Sequence, residues 1–307
     1  MYIRIFFFSF IYIFILITNV NAFENKILFK INNEIITSLD ILSELRYLES
    51  INTEFQNTEK NQAYEIAKRS LIREKIKEVE LKKVFKKIKI EDKFLENLLI
   101  NYFKKKNINS ISDFEDYFIS IKIDPDIIKK KITIEVLWNQ LIFNKYNQNI
   151  KIDRQNIVDE IKKSNKQKQY FLSEILFNIN EGEKLENKFN LIRNKIEKSN
   201  FSEAALIYSV SDTSTKGGEL GWINESALSK MIKNKIQKIA IGNYSNPILI
   251  PGGFLILKVI DIRVIDNNYD LKVEIEKIIR EKTNEQLNQF SNIYFNKIQK
   301  DIVINEL

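Results

Sequence analysis

The chain holds seven glycines in 307 residues, and all seven fall between Gly182 and Gly253. Three of them, Gly217, Gly218 and Gly221, lie within five positions of the stretch TKGGELGWI, residues 215–223. Glycine adopts left-handed backbone at no steric cost, and it marks tight turns and close backbone approach. In a chain this poor in glycine, such geometry is expected in one segment. Two of the three prolines, Pro247 and Pro251, share that window, the second next to Gly252 and Gly253. The sequence therefore divides near residue 165, with regular elements before it and special turns after it.

The N-terminus reads MYIRIFFFSFIYIFILITNVNAFEN. Arg4 precedes an apolar run from Ile5 to Ile17, and Val20-Asn21-Ala22 places small residues at a cleavage position, the layout of a secretory signal peptide. The run is short for a membrane span, which needs about 20 residues. Residues 1–22 are therefore expected to leave by cleavage after Ala22, with an uncleaved membrane anchor as the alternative. Either outcome implies export.

Cysteine and histidine are both absent. An exported chain without thiols must hold its fold by packing. A Ser-His-Asp triad, a Cys-His dyad, a thiolate zinc site and an imidazole base are all excluded. Carboxylate and tyrosine chemistry stay open, and no metal or cofactor is called for. The formal charge is +7, and removing Arg4 with the leader makes it +6. Both signs are mixed throughout, which describes a solvated surface and not a track for nucleic acid.

Beyond the leader, Ile27–Ile31 and Glu34–Ile36 flank Asn32-Asn33 as a hairpin. Thr37 caps a helix over Ser38–Ile51, with Asp40 three residues on. Apolar residues at helical spacing continue a helix from about Glu59 to Ile88, and further helices run through Phe94–Tyr102 and Phe114–Phe118. Asp124-Pro125 opens another, which carries Trp138. Asp153 caps a short one reaching about Lys163. The polar stretch SNKQKQ, residues 164–169, has the composition of a hinge. Tyr170–Phe177 then reads as a buried strand, followed by helices through Leu185–Ile196 and Ser202–Ile207. A strand follows over Leu220–Ile223, and a helix from about Ser226 carries Leu228, Ile232, Ile236 and Ile239. Two strands, Ile248–Ile250 and Phe254–Ile260, meet across Pro251-Gly252-Gly253. A long helix over residues 270–300 leads to DIVIN, residues 301–305, as a last strand.

The order of elements from LSEIL through GGELGWI to NPILIPGGFLILKVIDI resembles the parvulin-type prolyl isomerase domain. The wider layout, including the opening FKINNEIITSLDI, resembles the SurA family of periplasmic chaperones. The resemblance implies an α+β chain. A mostly helical N-terminal domain, residues 23–165, would be completed by a C-terminal helix and strand, residues 270–307. A parvulin-like domain with a four-stranded sheet would occupy residues 167–263.

Active members of that family line a peptide groove with two histidines flanking a Cys or Asp. The resemblance puts the histidine positions at Glu174 and Leu255, and the third at Ser211 or Asp212. Both imidazoles are replaced, so whether the chain is an enzyme stays open. The apolar half of the groove is implied to be Leu220 at its floor and Leu228 and Ile232 in the proline pocket. These last two, four apart, are expected on one helical face. Gly217, Gly218 and Gly221, with Gly252 and Gly253, would shape the loops. Each apolar position also has an ordinary reading as core, and Glu174 one as a carboxylate paired with a nearby lysine.

Three functions follow from this reading. The first is a periplasmic chaperone that holds unfolded outer-membrane proteins or other extended polypeptides, its parvulin domain weak or inactive. The second is a working prolyl cis-trans isomerase. The third is a membrane-anchored assembly factor, which differs in retaining residues 1–22. The 21 Phe and 12 Tyr suit broad apolar client surfaces as readily as they suit a core.

Overall fold

The computed structural model describes residues 25–162, 166–266 and 270–307. The leader and the cleavage position after Ala22 lie outside the described residues. The chain is α+β: a helical lobe at the N-terminal side, a four-stranded antiparallel sheet with its own helices, and a long C-terminal helix that packs on the lobe.

The lobe opens as the local sequence dictates. Strands β1 (Ile27–Ile31) and β2 (Glu34–Thr37) pair antiparallel, and Asn32 takes the left-handed turn at φ 50°. Helix α1 (Ser38–Ile51) starts in a capping box: the Asp40 N–H donates to Thr37 Oγ1, and the Thr37 N–H donates back to Asp40 Oδ2 at 2.7 Å. Helices α2 (Lys60–Val84), α3 (Asp92–Phe103), α4 (Ile111–Ser120) and α5 (Pro125–Tyr146) follow. Asp124 caps α5 through the Asp126 N–H, with Pro125 where its missing N–H costs nothing. Helix α2 stops at Val84, short of Ile88, because Phe85 turns extended. A short helix, α6 (Arg154–Lys162), ends this half.

Aromatic rings dominate the lobe's interior. Phe103, Phe114 and Phe118 meet at 4.9–5.7 Å between centroids and are all buried. Each such ring contributes about 1.5–3 kcal/mol by leaving water. The last helix, α10 (Leu271–Gln299), closes this core: Trp138 stacks with Tyr294 at 5.8 Å and donates its indole N–H to Ser291 at 2.8 Å. Strand β7 (Ile304–Glu306) then pairs with β1, so the sheet order is β2-β1-β7. The N-terminal hairpin is thus finished by the opposite end of the chain.

The second sheet has the order β4-β3-β6-β5, with β3 (Lys166–Phe177), β4 (Glu219–Asn224), β5 (Ile248–Ile250) and β6 (Gly253–Asp266). Residues 166–169, expected to be hinge, belong to β3 and pair with β6. Gln167 and Gln169 are buried there, so tertiary pairing overrides their polar character. Helices α7 (Leu185–Lys198) and α8 (Phe201–Tyr208) cover one face of the sheet through Ile192, Phe201 and Ala205. The other face packs on α9 (Lys230–Ile236) through Ile232 and Ile236. Leu228 is not on that helix. The expected helix start near Ser226 is instead a 3-10 turn, Glu225–Ala227, and Leu228 follows it extended at φ −72°, ψ 144°, before the cap residue Ser229.

All seven glycines have positive φ, so each meets a backbone requirement. Left-handed backbone is not confined to their segment: Asn32, Asn107 and Lys122 adopt it at φ 50°, 60° and 61°. The glycines differ in what surrounds them. A Cβ on Gly218 would lie 2.1 Å from the Glu174 carbonyl oxygen, whereas one on Gly221 would meet nothing within 4 Å. Gly221→Ala is expected to cost about 1–2 kcal/mol, the price of left-handed backbone alone. Gly218→Ala is expected to cost clearly more, because strand β4 must also move away from β3. Urea denaturation of the two variants checks the ranking.

Candidate peptide groove and the clamp beside it

Strand β3 alternates regularly, so Tyr170, Leu172 and Glu174 share one face. That face carries the apolar group of Leu172, Leu228, Ile232, Leu255 and Leu257, with Leu220 packed against it. Glu174 stands opposite Leu257 on β6. The β3–β4 register shifts between Leu172 and Ser173, which pair with Gly221 and Glu219. Leu220 is therefore the extra residue of a β-bulge, a device that re-aims a side chain next to a site. The left-handed Gly221 permits it.

The loop before β4 is fastened to β3 by backbone bonds. The Glu174 N–H donates to Gly218 O at 2.8 Å, and the Val210 N–H donates to Leu176 O at 2.7 Å. Ser209 Oγ accepts from the Leu176 N–H at 3.1 Å. Between these anchors lies a 3-10 turn, Asp212–Lys216, capped by Ser211. Its side chains reach Glu174: Ser211 Oγ lies 2.6 Å and Thr213 Oγ1 2.9 Å from Glu174 Oε1, and the two hydroxyls are 3.1 Å apart. Each hydroxyl has one proton, and donation of both to the Glu174 carboxyl satisfies this geometry.

Of the two candidates for the third family position, Ser211 meets Glu174 and Asp212 turns the other way. Asp212 Oδ1 accepts from Arg73 Nε at 2.8 Å and from Lys77 Nζ at 3.0 Å, both on α2 of the helical lobe. Lys77 is buried and also holds Glu135 of α5 at 2.7 Å. One turn earlier on the same helix face, Arg69 donates to the carbonyls of Leu206 and Ile207, which end α8. Residues 69, 73 and 77 thus grip the sheet domain along a single stripe.

These surroundings push the two carboxyls apart. Burial raises Glu174 above the ordinary carboxylate range, and the Ser211 and Thr213 hydroxyls pull it part of the way back. The Asp212 charge adds to the rise. Burial acts on Asp212 too, but the Arg73 and Lys77 charges outweigh it and hold that carboxyl well below the ordinary range. Glu285 of α10 is raised by burial and by the Glu174 charge, which places α10 within electrostatic reach of the groove.

Leu228, Ile232 and Leu255 are buried in the apolar group, and Leu220 is half-buried beside it. Gly252 and Gly253 form the β5–β6 turn, and Gly252 lies against Asn292 and Ile293 of α10. Sequence reasoning missed Thr213 and the stripe of Arg69, Arg73 and Lys77. The i, i+4, i+8 spacing of the stripe was visible, but a helix with this many lysines hides it. Among the described residues no group of Asp and Glu is arranged to hold a metal ion. A cleft of about 920 Å³ opens beside the clamp, between the lobe (Tyr47, Arg69, Tyr102) and the sheet domain (Tyr208, Asp212, Lys216). It is separate from the apolar group around Leu228 and Ile232.

Residues 175–261 match the family described as "Rotamase: PPIC-type PPIASE domain". Among curated proteins, the chain is similar to a Chaperone SurA of Pseudomonas fluorescens, 31% identical over 81 residues, which are 26% of this chain and 19% of that protein. It is also similar to Chaperone SurA of Nitrosococcus oceani, 24% identical over 165 residues, or 50% of this chain and 39% of that protein. The chain thus spans well under half the length of these curated relatives. Among solved structures, a PpiC-type peptidyl-prolyl cis-trans isomerase domain is 28% identical over 33% of this chain and 96% of its own, with TM-score 0.30. A SurA-like chaperone of Campylobacter jejuni is 17% identical over 92% of this chain and 99% of its own, with TM-score 0.36.

The opposed shifts have opposite consequences for stability. A carboxyl raised on folding, as Glu174 is, contributes stability below its unfolded value of about 4.3 and loses it as pH rises through the folded value. Asp212 behaves conversely: its contribution is present above about 3.9 and is lost as pH falls through its lowered folded value. Glu174→Gln keeps an acceptor for Ser211 and removes the charge. It is expected to raise stability near pH 7 and to leave it nearly unchanged near pH 3.5. Urea midpoints at the two pH values measure this.

Proposed function

We propose that this chain, a helical lobe carrying a PPIC-type domain, works as an exported chaperone that holds extended polypeptides, unfolded outer-membrane proteins among them. The observation that carries the reading is the open cleft between lobe and sheet domain, which mixes aromatic, aliphatic, cationic, carboxylate and amide side chains. A surface of that kind suits many sequences weakly and none tightly. The lobe also exposes apolar residues elsewhere: Phe94, Ile119 and Phe143 are 46–61% exposed. Most aromatic mass is nonetheless core, as Phe29, Phe55, Phe114 and Phe118 are. Client contact therefore rests on few side chains. The leader motif of residues 1–22 supports delivery to the periplasm. Among the described residues no helix is long and apolar enough to cross a membrane.

The groove is read as a proline-binding site with little or no turnover. Rotating an X-Pro bond crosses a barrier of about 18–20 kcal/mol, which an enzyme lowers by stabilising the twisted amide. Leu220, Leu228 and Ile232 supply the apolar grip. In place of two imidazoles stand a carboxyl engaged by two hydroxyls and a buried leucine.

Two assays test the reading. The purified chain lacking residues 1–22 is expected to suppress aggregation of an unfolded outer-membrane β-barrel at equimolar concentration, and absence of suppression rejects the chaperone. Exchange NMR on a proline peptide is expected to show the uncatalysed rate at neutral pH. Acceleration that disappears on Leu228→Ala would establish the isomerase instead.

A further inference from the structure

The turn Asp212–Lys216 has two faces, and each is committed to a different part of the molecule. Ser211 and Thr213 bond Glu174 on the groove side, at 2.6 and 2.9 Å. Asp212, between them, bonds Arg73 and Lys77 on the lobe side, at 2.8 and 3.0 Å. A three-residue stretch cannot move on one side and stay still on the other. The lobe side is rigidly backed: Lys77 is buried over the Trp138 ring at 5.6 Å and is tied to Glu135, while the Arg73 guanidinium lies 4.0 Å over Phe295 of α10.

We propose that Arg73 and Lys77 of the helical lobe are positioning residues for the peptide groove: by holding Asp212 they set Ser211 and Thr213 against Glu174. Docking of the sheet domain on the lobe and binding of peptide in the groove then favour one another, as linkage requires of two events sharing one ordered element. The inference rests on reading the Glu174 face as a peptide groove, but its geometric half does not. The charged groups around Glu174 come from two directions: Asp212, neutralised by Arg73 and Lys77, and Glu285 from α10.

The test uses the full mature chain with two readouts: the Glu174 titration followed by carboxyl ¹³C NMR, and the affinity for a fluorescein-labelled proline peptide. Arg73→Gln leaves Asp212 short of one cation, so the Glu174 midpoint is expected to rise. Asp212→Asn removes a negative charge, which alone would lower the midpoint, but it also frees Ser211 and Thr213, and losing those two donors is expected to raise it. Arg73→Lys keeps the charge and is expected to return the midpoint towards the parent's. Peptide affinity is expected to drop by about fivefold or more in both Arg73→Gln and Asp212→Asn. Through-space charge alone would lower the midpoint in Asp212→Asn, so a rise there marks positioning of the two hydroxyls. An Asp212→Asn midpoint at or below the parent's overturns the proposal, as does parent-like affinity with a parent that binds. A parent that binds no peptide rejects the groove instead, and the midpoints alone then decide the positioning. Should circular dichroism show Arg73→Gln unfolded, Asp212→Asn, which leaves α2 intact, carries the test.

Discussion

The contact on which the rest is built is the approach of Gly218 to the backbone of Glu174. The Glu174 N–H reaches Gly218 O at 2.8 Å, with no room for a Cβ between the strands. That closeness fixes where the preceding turn can stand, and the turn carries Ser211, Asp212 and Thr213. It also sets the register that leaves Leu220 as the bulged residue of β4. A larger residue at 218 would thus disturb the carboxyl cluster, the clamp on α2 and the apolar face together.

Charge organises what packing leaves free. The lobe and the sheet domain meet through guanidinium-to-carbonyl bonds from Arg69 and through the Arg73–Asp212–Lys77–Glu135 network. Removing one partner from a buried network is costly because the others stay desolvated. The Asp212 side chain is 44% exposed, so solvent screens its own share while Lys77 remains dry. Helix α10 adds a second tie between the two parts. It holds Asn224 through Glu281 near its middle and stacks on Trp138 and Tyr146 nearer its end.

Elements whose cause is local could be read directly. Thr37 with Asp40 and Asp124 with Pro125 start helices by satisfying backbone donors that need no distant partner. Asn32 forms its turn for a similar reason, since it tolerates the left-handed region. The hinge reading failed because distant chain decides there, and the helix-start reading failed on a local cap. Residues 166–169 look like a linker yet form strand because β6 supplies partners. Leu228 lies at helical spacing from Ile232 yet sits outside the helix, because Ser229 caps it one residue later. Period alone does not distinguish those cases.

The order of elements, the α+β class, the special-turn segment and the removal of imidazole and thiol chemistry all followed from the amino acids, because each depends on residue type or near neighbours. Which hydroxyls face Glu174, which way Asp212 points, and that residues 69, 73 and 77 reach across to the sheet domain were decided only by the tertiary structure. Those contacts join residues more than 35 positions apart, and for the clamp more than 130. Their energies depend on burial and on charges brought close by the whole fold, and a string of residues carries no distance between remote positions.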